Sequence, residues 1–251
     1  CPKGGITVLP SFDSTTVPGP VGMISQSGGI ANDFIHEADN ADMGISKAIS
    51  YGNGCDLEAV QLLQYFLADP DTFYIGAYLE GVKDGREFFD TVKKVSAQKP
   101  VVIWKGGLTP LGSRATMSHT GSLGGETKIW EGALEQAGAI PVQGLDEMID
   151  TLKALTYLNS RGRRISLTGG GGAIGVFSSD LAYQWGLDIP PFSKETQQRL
   201  RKYFPNPGNS MVNPLDTGTP ALPLDLLTGA VREILVSEPI DVMVLIMLMH
   251  P

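Results

Sequence analysis

The run Arg114-Ala115-Thr116-Met117-Ser118-His119-Thr120-Gly121-Ser122-Leu123-Gly124-Gly125 sets one histidine among small hydroxyl and glycine residues. Nothing in it has the apolar periodicity that would call on His119 for packing, and a helical pattern begins just after it. His119 therefore belongs on a loop, where side chains do chemistry. Imidazole, with an ordinary pKa of roughly 6.5, offers a neutral nitrogen at neutral pH as a base, a metal ligand or a nucleophile.

Two other segments have the composition to work with it. Gly22-Met23-Ile24-Ser25-Gln26-Ser27-Gly28-Gly29 ends an apolar strand pattern and opens a helical one. Small residues let the backbone approach an oxyanion, hydroxyls donate to it, and the free N–H groups of a helix start carry partial positive charge. Ser25, Gln26, Ser27, Gly28 and Gly29 are thus a candidate phosphate cradle, the plainer alternative being a glycine turn with a serine cap. The segment lacks the P-loop lysine and its glycines do not fit a G-x-S-x-G nucleophile elbow. Glu80 closes the strand pattern of residues 74–79 at the edge where open α/β sheets assemble ligand sites. If its carboxylate accepts a hydrogen bond from one ring nitrogen of His119, the tautomer is fixed, the other nitrogen is free to attack, and a positively charged ring is stabilised.

Weaker candidates each have an ordinary reading. Ser50-Tyr51-Gly52-Asn53-Gly54-Cys55-Asp56 is a strand-to-helix turn that Asp56 is suited to cap, with Asn53 a candidate loop contact. Cys55 stands near a helix start without a basic partner in sequence and is not taken as a nucleophile. His36 falls in an amphipathic helix, His250 ends the last strand, and Lys105 before Gly106-Gly107 is either an anion ligand or a solvated strand-end lysine. The glycine run 169–172 either cradles phosphate or lets a strand and a helix pack closely, and it lacks the full dinucleotide fingerprint. No metal site is expected.

The elements that position these loops follow from periodicity. Strand-length apolar runs at 21–25, 45–50, 74–79 and 101–104 alternate with amphipathic segments at 30–38, 56–68, 86–97 and 126–137, then 140–142 and a helix over 145–158. Alternation of this kind predicts an α/β fold with a parallel sheet covered by helices on both faces. A polar, basic link at 159–164 marks a boundary, after which the pattern restarts with a strand at 164–168, helices over 173–185 and 193–203, a proline- and glycine-rich loop over 205–223, a helix to 236 and a strand at 241–248. Two domains are expected, 1–158 and 164–251. Serine 193 reads as a helix cap whose capping-box acid falls one place early.

The 251 residues, 42% hydrophobic, suit a soluble globular protein. The longest strongly apolar run, 242–249, is far short of the ~20 residues a membrane helix needs, and no signal sequence is evident, so a cytoplasmic location is expected. A net charge of −8 argues against nucleic acid and anionic membranes as partners while leaving room for a local anion site. Two cysteines are too few for a disulfide framework. The chain opens at Cys1-Pro2 and ends at Pro251 directly after a strand pattern, so continuation at both ends is expected, the second domain being incomplete.

The order Gly-Met-Ile-Ser-Gln-Ser-Gly-Gly, Tyr-Gly-Asn-Gly-Cys-Asp, Leu-Glu-Gly-Val-Lys-Asp-Gly-Arg, Lys-Gly-Gly and Ser-His-Thr-Gly-Ser-Leu-Gly-Gly resembles the NDP-forming acyl-CoA synthetases, including ADP-forming acetyl-CoA synthetase and, more distantly, succinyl-CoA synthetase. Asn213-Pro214-Leu215-Asp216 extends the resemblance into the second half, while the Gly54-Cys55 pair departs from it. The resemblance implies two flavodoxin-like, succinyl-CoA-synthetase-like domains. It also implies the reaction acyl-CoA + phosphate + ADP ⇌ carboxylic acid + CoA + ATP, through an acyl phosphate and a transient phosphate on His119. Glu80 would support that histidine, residues 25–29 would hold its phosphate, and Ser118, Thr120 and Gly121 would make loop contacts. CoA, ATP or ADP and Mg²⁺ would serve the complete enzyme, with a CoA-binding domain before Cys1, an ATP-grasp domain or subunit, a small carboxylic acid substrate and an oligomeric assembly. A second family region, fused to protein acetyltransferases, would instead sense acyl-CoA without turnover, which the His119 and Glu80 pair disfavours. A flavin-binding electron carrier is the third reading, suggested by fold alone.

Overall fold

The computed structural model describes residues 1–8, 17–109, 111–112, 114, 127–158, 162–204, 208–218 and 223–247. They form two compact units, Cys1–Asn159 and Ser160–Pro251.

In the first unit, five strands, β1 (Pro18–Ser25), β2 (Ile45–Ser50), β3 (Tyr74–Leu79), β4 (Val101–Lys105) and β5 (Ile140–Val142), make one parallel sheet in the order β2-β1-β3-β4-β5. This is the flavodoxin-like order, with its switch point between β1 and β3. Helices α1 (Gly28–Asn40), α2 (Ala59–Ala68), α3 (Gly85–Ser96), α4 (Thr127–Gln136) and α5 (Leu145–Tyr157) cover the faces.

Strand alternation sorts the core. Ile75, Ala77 and Leu79 of β3, with Val101 and Ile103 of β4, face Leu63 and Phe66 of α2, Phe88 and Val92 of α3 and Leu134 of α4. Val21, Met23 and Val102 face Phe34 and Ile35 of α1 and Met148 and Leu152 of α5. Gly76 lies under that second layer, where a Cβ would stand 3.1 Å from Leu152 Cδ1 and 3.3 Å from Met148 Sδ, so its missing side chain lets α5 settle on the sheet.

At the amino edge of the sheet, Lys47 reaches buried Asp69 at 2.7 Å, Thr72 donates to the same carboxylate oxygen at 2.6 Å, and Lys99 donates to the carbonyls of Phe66 and Asp69. One expectation about a helix start is corrected. The N-cap of α2 is Glu58 rather than Asp56, because Gln61 Oε1 accepts the Glu58 N–H at 3.0 Å in a capping-box pairing that Asp56 has no residue to complete.

The second unit pairs β6 (Ile165–Gly169) in parallel with β7 (Val242–Ile246) and carries helices α6 (Gly172–Gln184), α7 (Lys194–Leu200) and α8 (Leu224–Ser237). Buried Asn213 accepts from Leu167 N and donates to the carbonyls of Ile165 and Pro190. Here α7 stops at Leu200 rather than continuing to 203. Ser193 caps it as expected, accepting from Thr196 N at 3.2 Å, and the acid missing from the local box comes from afar, Glu238 accepting both the N–H and the hydroxyl of Ser193 at 3.0 and 2.7 Å. Burial works against the Glu238 charge, but hydrogen bonds from Thr196 and Ser193, with the charge of Arg199, outweigh it and leave its pKa below the usual range.

Candidate functional site

Parallel pairing brings the carboxyl ends of three strands level, Ser25 opposite Ser50 on one side and Tyr78 on the other, with Leu79 opposite Lys105. The candidate site is built on this edge. Ser25 is fully buried and shapes the turn, its hydroxyl donating to Ser27 O at 2.7 Å and accepting from Ser27 N at 3.1 Å. Ser27 is the N-cap of α1, its side chain accepting from Ile30 N at 3.3 Å. Among the described residues, the exposed amides of Gly28 and Gly29 are left without hydrogen bonds, so the start of α1 presents two open donors and the positive end of its dipole.

Gln26 straddles the switch point. Its N–H donates to Tyr78 O at 3.1 Å, and its side-chain oxygen accepts from the amides of Glu80 and of Gly81, the latter at 2.9 Å. The residue read as an anion donor thus spends its amide oxygen on holding the Glu80 turn beside the start of α1.

Glu80 is only 7% exposed, and its Oε1 accepts from the Tyr78 hydroxyl at 3.1 Å. Burial, with the Glu80 charge beside it, pushes the Tyr78 phenol up to about 12, so it stays a donor at any physiological pH. Tyr78 is braced edge-on by Trp104, ring centroids 4.7 Å apart. Lys105 completes the group. It extends the inward row of Val101 and Ile103, is 5% exposed, donates to Glu80 O at 2.8 Å and to Gly106 O, and lies 5.0 Å from the Trp130 ring. Burial lowers its amine to about 8, although the attraction of Glu80 works the other way. Tyr78 is not among the residues the sequence singles out, and Lys105, expected either to bind an anion or to be a solvated strand-end lysine, is buried. The alternation of β4 already put Lys105 in a core row, which was the available signal.

A cavity of about 470 Å³ opens beside the turn, lined by Gln26, Tyr51, Asn53, Glu58, Gly81 and Lys83. Asn53 is exposed there, and the Tyr51 hydroxyl is buried without a hydrogen bond among the described residues. Burial, then the charges of Glu58 and Glu80, raise the Tyr51 phenol beyond its usual range. Lys83 bonds Gly54 O at 2.8 Å and pairs with Glu58 at 2.5 Å. Cys55 is exposed, and His36 is half-buried on α1. His119, Ser118, Thr120, Gly121 and His250 lie outside the described residues.

The glycine run of the second unit offers less to an anion. A Cβ on Gly172, the first residue of α6, would stand 3.2 Å from Asp216 Oδ2, so that helix start already faces a carboxylate. Among the described residues no three His, Cys, Asp or Glu side chains are placed to hold a metal ion, and no helix is long and apolar enough to cross a membrane.

Comparison with known proteins identifies relatives of this fold. The chain is 36% identical over 206 residues to the alpha subunit of acetate–CoA ligase [ADP-forming] II of Pyrococcus furiosus, covering 82% of this chain and 45% of the relative. It is 31% identical over 206 residues to the 4-hydroxybutyrate–CoA ligase [ADP-forming] of Nitrosopumilus maritimus, covering 80% of this chain and 29% of that protein. The solved dinucleotide-forming acetyl-coenzyme A synthetase 1 of Ca. Korarchaeum cryptofilum, in complex with phosphate and ADP, superposes with a TM-score of 0.81 at 33% identity over 91% of this chain and 50% of its own. The chain therefore spans half or less of the length of these relatives. Residues 18–155, which hold every described part of the site, match the family described as succinyl-CoA ligase like flavodoxin domain, and the chain belongs to that family.

Proposed function

We propose that this chain is the phosphoryl-carrying part of an ADP-forming acyl-CoA synthetase, catalysing acyl-CoA + phosphate + ADP ⇌ carboxylic acid + CoA + ATP. The observation that carries the reading is the convergence, on one sheet edge, of a buried carboxylate and a helix start with open amides. A phosphohistidine needs both. A carboxylate orients the imidazole and offsets the charge of its phosphorylated ring, and backbone donors balance the phosphate oxygens.

In this reading phosphate attacks acyl-CoA, expelling CoA and giving an acyl phosphate. A ring nitrogen of His119 then attacks phosphorus in line, the P–O bond to the acyl group breaks, and the carboxylic acid leaves as its carboxylate. The phosphoryl group passes from His119 to the terminal oxygen of ADP, whose new P–O bond completes ATP. Glu80 orients His119, and the amides of Gly28 and Gly29 receive the phosphate, with Ser118, Thr120, Gly121 and Asn53 as loop contacts. Magnesium has no fitting donor set among the described residues, so no step here runs through it, and it is assigned to the nucleotide.

A CoA-binding domain and an ATP-grasp domain or subunit would supply the other substrates, in an oligomeric, cytoplasmic enzyme whose domains 1–158 and 164–251 are both flavodoxin-like. Because the relatives named above act on acetate and on 4-hydroxybutyrate, the substrate is a small carboxylic acid.

The test uses the full-length polypeptide with any separate nucleotide-binding subunit, Mg²⁺ and terminally labelled ATP. An acid-labile, base-stable phosphoprotein is expected in the wild type and not in His119→Asn. No label in the wild type, with nucleotide binding confirmed, refutes the mechanism in favour of a module that binds acyl-CoA without turnover.

A further inference from the structure

We propose that Lys105 is a positioning residue for phosphoryl transfer: from inside the sheet edge, its ammonium group holds the backbone of Glu80 in place and sets a positive charge against the carboxylate that meets the incoming phosphate. The proposal rests on the function just proposed and adds to it a residue that acts through Glu80.

Three observations support it. Lys105 closes the inward-facing row of β4, a position otherwise filled by valine and isoleucine, and a buried lysine is retained at a cost in desolvation that only fixed partners offset. Its donors go to backbone carbonyls, Glu80 O at 2.8 Å and Gly106 O, so it ties the exit of β3 to the exit of β4. The Trp130 ring of α4, 5.0 Å from the nitrogen, adds a third support that favours the cation. Glu80 is therefore held from two sides, by Gln26 through its N–H and by Lys105 through its carbonyl.

The charge matters to the chemistry because a phosphoryl group brings negative charge towards Glu80. Two like charges at a half-dry edge repel, and a cation buried beside one of them offsets that repulsion. Deprotonation of the amine would remove the offset and weaken the charge-assisted bonds to the two carbonyls. Among the described residues, Glu80 acts on this amine directly, and Tyr78 and Tyr51 interact with Glu80. Both phenols titrate far above the amine, and α4 meets it with a neutral ring. Of these described groups, the amine, lowered to about 8 by burial, is the one that changes charge between pH 7 and 9.5.

The experiment measures single-turnover phosphorylation from labelled ATP in the complete enzyme between roughly pH 7 and 9.5, for wild type, Lys105→Met, Lys105→Arg and His119→Asn, with thermal unfolding of each. Wild type is expected to slow above about pH 8. Lys105→Met should be slower by about 10–100-fold at pH 7 and lose that limb, and Lys105→Arg should recover much of the rate and keep it to the top of the range. A wild-type rate that stays flat across the range, Lys105→Met labelling as fast as wild type, or Arg and Met variants equally slow with the wild-type pH profile would overturn the proposal. Absence of label in the wild type would instead mean that the proposed function has failed.

Discussion

Replacing Gln26 separates its work in holding the site from any direct work on an anion. Its side-chain oxygen accepts two N–H groups, those of Glu80 and Gly81, and Gly81 is buried. In Gln26→Leu both amides lose their acceptor inside a turn that water reaches poorly. Each such loss costs about 1–3 kcal/mol when dry, and the half-exposure of Gln26 puts this site at the lower end, giving about 2–4 kcal/mol for the pair. Gln26→Glu keeps an oxygen in reach of both amides but adds a negative charge beside Glu80 and the start of α1. The two variants should therefore divide. Urea unfolding should show the Leu variant destabilised by about 2–4 kcal/mol and the Glu variant by less than about 1. Phosphorylation of the Glu variant should nevertheless slow about tenfold or more, the effect of about 1.4 kcal/mol of added repulsion in the transition state. Amide hydrogen exchange at Glu80 and Gly81 gives a local reading, with protection lost in Leu and kept in Glu. A Leu variant within about 0.5 kcal/mol of wild type, with those amides still protected, would refute the assignment of Gln26 as the clamp.

Two other substitutions probe the ends of the sheet. A Cβ at Gly106 would stand 2.7 Å from the Tyr78 hydroxyl, so Gly106→Ala should push that hydroxyl off Glu80 at a cost of about 1–2 kcal/mol, and in a Tyr78→Phe background, where the bond is already gone, a double-mutant cycle by denaturation should find a smaller cost; equal costs would refute the coupling. At the amino edge, burial opposes the Asp69 charge, but hydrogen bonds from Lys47 and Thr72 outweigh it and hold its pKa below the ordinary 3.8. A depressed carboxylate contributes stability that is present above its unfolded value and lost as pH falls through the folded one. Asp69→Asn should therefore cost about 2–4 kcal/mol at pH 7 and progressively less below about pH 4, and a cost independent of pH in denaturant titrations would refute the pairing.

Much of the fold was legible because alternation of apolar runs with helical periods is a local signal, and one parallel sheet is the arrangement that buries both. The residues that line a site are less local. Glu80 could be placed at a strand end from sequence, but Gln26 could not be recognised as its clamp until the strand order put β1 next to β3 and brought together residues 54 positions apart. Lys105 shows the same limit, since its place in the core row was readable and its acceptor, Glu80 O, was not. The start of α2 is different. Glu58 and Gln61 carry the capping spacing in plain sequence, so this start was readable from local residues alone.

Helix α7 has a consequence for the order in which the second unit assembles. Seven residues are too few to stay helical in water, and here the start is completed by Glu238, 45 positions beyond Ser193, while Arg199 reaches Glu233 and, at 2.9 Å, Ser237 on α8. The segment is helical on borrowed partners, so its turn should appear only once the intervening loop has closed and α8 has docked. In a folding experiment it would behave as a latecomer, a piece of secondary structure that reports the arrival of tertiary contacts.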